Sequence, residues 1–227
     1  MKHFDKLERL VENAFDFLDR ALWDFNTAPK HSVINFHAAI ELFLKARLLA
    51  EHWSLVISER QDADLKKFLA GDFQSVTLDE AADRLDKVVQ SPLTKIELDQ
   101  FKNLARHRNR MVHFFHDAVT DDATEDLKQA IAIEQLRAWY LLNRLLADRW
   151  GEIFAKWKGR LADVTSKLKR HRQYLQITFE LLQPEIQRQI AQGRTIEECL
   201  SCEFLAAEVT QVVGALKKCD CLVWAME

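Results

Sequence analysis

Residues 104–116 read Leu-Ala-Arg-His-Arg-Asn-Arg-Met-Val-His-Phe-Phe-His. Arg106, His107, Arg108 and Arg110 precede His113 and His116, with the apolar Met111 and Val112 between them. These residue types suit one kind of reaction. In metal-free RNA cleavage the 2′-hydroxyl attacks the adjacent phosphate. Such a step needs a group that moves a proton near neutral pH, which histidine does. It also needs a fixed cation for the developing charge, and the arginine fork supplies one. Arg108 and His113 are that pair of candidates, and the amide of Asn109 can orient the histidine or a phosphate. Arg110 is a supporting cation, while Arg106, His107 and His116 are candidate RNA contacts. The plainer reading is a solvated basic helix with a satisfied histidine.

Geometry constrains the pair. Residues five apart on an α-helix lie about 140° apart around the axis, so Arg108 and His113 do not share a narrow stripe. Asn109 and His113 do, at i, i+4. Either Arg108 reaches round from the first turn of a local helix, or two copies of the segment face each other across a two-fold axis.

A second cluster of reactive side chains lies at the far end of the chain. All four cysteines fall at or after position 199, as Cys199-x2-Cys202 and Cys219-x-Cys221. Two close pairs joined by a returning loop offer four thiolates to one tetrahedral zinc of structural type. In a reducing compartment metal is expected before disulfide. The second pair departs from the commoner Cys-x2-Cys spacing, and the glycines usual in such turns are missing. The alternative is four ordinary cysteines on helices, since i, i+3 is also one helix face.

The elements that must position these groups are mostly helical. With only 5 glycines and 3 prolines in 227 residues, long helices and few hairpins are expected. Apolar residues recur at three-to-four spacing over residues 3–26 and 32–52, with Pro29 breaking the pattern between them. A short helix is predicted over 61–70. Thr77-Leu-Asp-Glu80 is a capping-box pattern that starts a helix over 78–90, and Thr94 to Glu97 is a similar cap for a helix over 94–117. A very long helical pattern runs from Leu127 to Phe154. A basic stretch comes next, with Lys156, Lys158, Arg160, Lys167, Lys169, Arg170 and Arg172, and then a short helix from Pro184 to Gly193. Val, Leu, Phe and Thr around the cysteines suit strands. The domains expected are a helical bundle over 1–155, a basic helical extension over 156–193 and a cysteine module over 194–227. The basic stretch is read first as a solvated face.

Two segments carry a family resemblance. Arg108-Asn-Arg-Met-Val-His113 is similar to the Arg-x4-His signature of HEPN domains, and His37-Ala-Ala-Ile-Glu-Leu-Phe-Leu-Lys-Ala46 is similar to their second helix. The resemblance spans roughly residues 1–150. It implies an all-α, up-and-down helical bundle, to which the reading of the cysteines adds a small module with a short β-hairpin. It further implies a homodimeric, metal-independent endoribonuclease acting as a toxin or anti-phage effector, with an active site shared between two copies. RNA is the implied substrate, and an antitoxin or defence protein the implied partner. Glu41 is a supporting residue that could pin Arg108. HEPN toxins paired with nucleotidyltransferase antitoxins carry Tyr two residues after the His. This chain has Phe115 there, so nucleotide transfer to that position is not expected.

Composition sets the remaining bounds. A net charge of −3 gives no global attraction to nucleic acid, so RNA binding has to be local or built by association. No apolar run reaches the roughly 18 residues of a spanning helix. The N-terminal residues lack a signal peptide's apolar stretch, and a cytoplasmic protein without membrane contact is expected. The alternative function is a non-catalytic dimeric module that binds a nucleotide, RNA or a partner through the Arg/His segment.

Overall fold

A computed structural model of the chain describes residues 3–59, 63–113, 125–213 and 216–224. It is mostly helical, with one small antiparallel sheet near the C-terminus. Two compact units divide at residue 156: one over 1–156, the other over 157–227. Among the described residues, no helix is long and apolar enough to cross a membrane.

The first unit is organised around a buried helix. α1 (His3–Asp24) buries Val11, Ala14, Phe15, Leu18 and Ala21, the three-to-four stripe read from the sequence. α2 (Pro29–Glu51) buries residues nearly all round, from Val33 and Phe36 to Leu48 and Leu49. Pro29 opens this helix instead of standing before it. The first helical turn has no use for the missing N–H, and the fixed φ suits it. Phe43 meets Phe15 edge to face at 5.1 Å and Phe154 at 6.0 Å. A buried polar link ties the same elements: Ser32 donates to the Ala21 carbonyl at 2.7 Å and accepts from Gln135 at 2.8 Å.

Two capping boxes set the next helices. α3 (Leu65–Ala70) is short and ends at Gly71, whose φ of +78° suits glycine. α4 (Leu78–Lys87) starts at Thr77, whose hydroxyl accepts from the Glu80 amide while Glu80 accepts from the Thr77 amide at 2.7 Å. Arg84 on α4 spreads its fork over the carbonyls of Leu55, Ile57 and Ser58, fixing the preceding loop. α5 (Lys95–His113) repeats the box: the Thr94 amide donates to Glu97 at 2.7 Å and the Glu97 amide donates to Thr94 at 3.3 Å.

The long pattern from residue 127 is not one helix. α6 (Glu125–Arg144) runs into a π-helical segment, Leu145–Arg149, and then the short α7 (Gly151–Phe154). Leu145 and Trp150, five apart, are both buried. An α-turn would set them about 140° apart. The wider turn, closed by the Trp150 amide on the Leu145 carbonyl at 2.9 Å, brings both to the core.

In the second unit, α8 (Lys158–Leu168) is followed by α9 (Arg172–Ala191) and by β1 (Ile196–Glu198), β2 (Leu205–Val213) and β3 (Leu216–Cys221). The strands form one antiparallel sheet in the order β1-β2-β3, one strand more than the expected hairpin. Pro184 does not begin a helix; it lies inside α9. Its ring removes one intrahelical bond, yet Leu175, Leu182 and Ile186 on either side form one buried stripe. That stripe packs with Cys199, Cys202, Phe204, Ala206, Ala207 and Val223. Residues 156–193 and 194–227, read from the sequence as extension and module, thus have a hydrophobic core in common. Phe179 stacks on Phe204 at 4.8 Å.

Candidate functional site

The basic segment occupies the last turns of α5, and the two ends of that helix are held differently. At its start, Glu97 takes an ion pair from Arg149 at 2.6 Å, and Arg149 also donates to the Pro92 carbonyl at 2.6 Å. Near its end, Leu104 and Met111 are buried while Arg106, Asn109 and Arg110 are exposed. α5 begins at Lys95, so Arg108 lies well inside a continuous helix. The first of the two arrangements, Arg108 reaching round from a local first turn, is therefore absent.

Each candidate has a definite place. Arg108 donates to Asn109 Oδ1 at 2.9 Å. Asn109 Oδ1 thereby engages the guanidinium, while the His113 side chain that its amide was expected to orient lies outside the described residues. Arg106 donates to Asn103, one turn back. His107 contacts Glu134 of α6 at 3.1 Å and is only partly exposed. The side chain of His113 and the whole of Phe115 and His116 lie outside the described residues.

His37, part of the His37–Ala46 segment, is a packed histidine. It is 6% exposed on α2, and its Nε2 is buried without a hydrogen-bond partner. Burial pushes its pKa below 6.5; Glu41 opposes that shift, while Arg108 and Lys45 add to it. His37 therefore stays neutral at neutral pH, with Glu41 and Arg108 both acting on its ring. The available signal was the i, i+4 spacing of His37 and Glu41. The spacing did not show that Arg108 would come to the same place.

The second candidate is a thiol cluster. Cys199, Cys202 and Cys221 bring their sulfurs within 4.8 Å of one another, and Cys202 and Cys221 stand 3.6 Å apart. Thiolates around a tetrahedral ion with bonds of about 2.3 Å are about 3.8 Å apart, so the cluster has the size of a metal site. Three cysteines close together can hold a metal ion. Cys219, expected as the fourth ligand, is exposed and outside the group. It lies on β3, paired with Val209 of β2 and two residues before Cys221, and its sulfur does not join the other three.

The backbone around the cluster faces the sulfurs. The amides of Cys202 and Ser201 point at Cys199 Sγ, the latter at 3.4 Å, and the Phe204 amide points at Cys202 Sγ. Burial pushes the Cys199 thiol up, but these amides and the other two thiols outweigh it, and the net shift is downward. Burial raises Cys202, and it carries Cys221 to about 12. One negative charge therefore settles on Cys199 first, and a divalent cation is the natural means of ionising all three.

Two cations fix the turns that carry these sulfurs. Arg172, at the start of α9, donates to the Cys202 carbonyl and lies 4.4 Å from the Phe204 ring centre. Lys169, at the end of α8, donates to the Trp224 carbonyl at 2.5 Å. Glu203, directly after Cys202, has φ +62°, where glycine would be free of strain. The turn closes through the Glu203 amide on the Cys199 carbonyl at 2.7 Å.

Comparisons of this chain with protein-family models, with curated proteins and with solved structures find no match.

Proposed function

We propose that this chain is a metal-independent endoribonuclease of the HEPN type, a toxin or defence effector whose active site forms across a homodimer, and that its second unit carries a structural zinc. The observation that supports the reading is the setting of Arg108. It is a cation near the end of α5, steadied by Asn109 and close enough to neutral His37 to depress its pKa. In this reading Arg108 meets the charge that develops on the scissile phosphate, and His113 moves the proton. A composite site is consistent with helix geometry, because Arg108 and His113 of one copy lie on different stripes of one continuous helix. Zinc is the thiophilic ion that suits a compact thiolate cluster without redox demands.

The test is cleavage of bulk tRNA and mRNA in EDTA by the purified chain, beside Arg108→Ala and His113→Ala. Loss in both variants supports the nuclease. Mixing the two inactive variants restores part of the activity if each site takes Arg108 from one copy and His113 from the other. Equal cleavage by all three proteins overturns the assignment. RNA binding without cleavage by any of them moves the protein to a non-catalytic binding module.

A further inference from the structure

The two turns that present the thiolates share several contacts, although they close differently: the Glu203 amide donates to the Cys199 carbonyl at 2.7 Å in the first, and the Trp224 amide to the Cys221 carbonyl at 3.1 Å in the second. In the first turn the amides two and three residues after Cys199 face its sulfur; they belong to Ser201 and Cys202. In the second turn the amides two and three residues after Cys221 face its sulfur; they belong to Val223 and Trp224. The position three after the leading cysteine is therefore Cys202 in one turn and Trp224 in the other. Each of these two positions has its carbonyl held by a cation, Arg172 for Cys202 and Lys169 for Trp224. The ammonium of Lys169 also lies 5.7 Å from the Trp224 ring centre. Cys219 has no counterpart in the first turn. It precedes the second turn, on the strand, where it is exposed.

An indole offers a metal no lone pair; its nitrogen only donates. The place that Cys202 fills in the first turn is thus held in the second by a side chain that cannot bind metal, and among the described residues no other His, Cys, Asp or Glu joins the three sulfurs. We propose that Cys199, Cys202 and Cys221 bind one thiophilic divalent ion through three thiolates, and that the fourth coordination place, beside Trp224, takes an exchangeable donor from solution. The proposal rests on the zinc reading above and amends one part of it, the site being open at one place instead of closed. A closed four-ligand site is structural, whereas three protein ligands and one open place let an outside ligand reach the metal. Trp224 is 39% exposed, so the place it borders is reachable. Three thiolates leave the centre formally one negative charge in excess, and a small donor such as water or an external thiolate completes it. Cys199 and Cys202 are buried, so exchange is directed to the Trp224 side.

Cobalt(II) substitution of the full chain, prepared under reducing conditions, tests this. Tetrahedral thiolate–cobalt has charge-transfer and ligand-field bands that respond to the donor set. The expected result is one ion per chain, lost in Cys199→Ser and Cys221→Ser. Cys219→Ser is expected to keep the spectrum and to bind within about twofold of the parent chain. Adding 2-mercaptoethanol should shift the ligand-field bands of the parent chain. Trp224→Cys should bind about tenfold more tightly or better, with bands that no longer respond to added thiol. Loss of the ion in Cys219→Ser, or parent bands unmoved by thiol, overturns the three-thiolate centre while leaving metal binding intact. A parent chain that takes up neither cobalt nor zinc refutes the zinc reading itself, and this proposal with it.

Discussion

Glu97 is the residue on which the placement of α5 depends most measurably. Its side chain is 5% exposed and does two things at once. It accepts from the Thr94 amide at 2.7 Å, closing the capping box, and it pairs with Arg149 at 2.6 Å. Loss of a cap costs about 1 kcal/mol. The ion pair is discounted because the Arg149 side chain is 36% exposed, and about 1 kcal/mol is a fair value for it. Glu97→Ala should therefore cost about 2 kcal/mol, a sizeable part of the stability of a typical domain. Glu97→Gln keeps an acceptor for the Thr94 amide and gives up only the charge, so about 1 kcal/mol is expected. Urea denaturation followed by far-UV circular dichroism measures both. A double-mutant cycle with Arg149→Ala should return a coupling of about 1 kcal/mol. If Glu97→Ala costs under about 0.5 kcal/mol, or Gln is as harmful as Ala, the division between cap and ion pair is wrong.

Three further outcomes are expected. The pKa of His37 is held below 6.5, so the folded chain binds a proton there less readily than the unfolded chain does. Its contribution is complete above pH 6.5 and is lost as pH falls below that value towards the lowered one. Urea midpoints at about pH 7.5 and about pH 5.5 should differ less in His37→Gln than in the parent chain. Arg84→Met leaves the Leu55, Ile57 and Ser58 carbonyls without their shared donor and should cost about 2 kcal/mol by urea denaturation. A strong zinc chelator applied to metal-loaded protein should raise amide hydrogen exchange over residues 196–224 and leave α2 protected; equal exchange with and without chelator counts against a metal on the cysteines.

The sequence is most informative where structure is local. The capping patterns at Thr77/Glu80 and Thr94/Glu97 both close as expected, because a box needs only two residues three apart. The apolar stripe of α1 is buried as its spacing implies. Non-local outcomes are harder to read. Pro29 reads as a break and Pro184 as a helix start, yet Pro29 opens α2 and Pro184 lies within α9, where packing on the sheet outweighs one lost bond. The clustering of cysteines indicates a metal-sized site, but spacing alone does not separate Cys219 from Cys221. What separates them is that Cys219 lies exposed inside β3, whereas Cys221 is the last residue of that strand, where the turn begins. Likewise, nothing local in the text of α2 shows that Arg108 acts on His37.

The π-helical segment at Leu145–Arg149 has a consequence for length variation in this chain. The π turn holds one residue more than an α-turn between the Leu145 carbonyl and the Trp150 amide, 2.9 Å apart. Removing one residue there would close the same pair as an ordinary i, i+4 turn, about 40° apart around the axis, so Trp150 would keep facing the core and its bond to Ser91, now 2.8 Å. The same deletion in the regular part of α6 has no spare residue to absorb it and would rotate everything after it by about 100°. The segment 145–149 is thus a place where this helical stretch can lose a residue and stay in step with its neighbours.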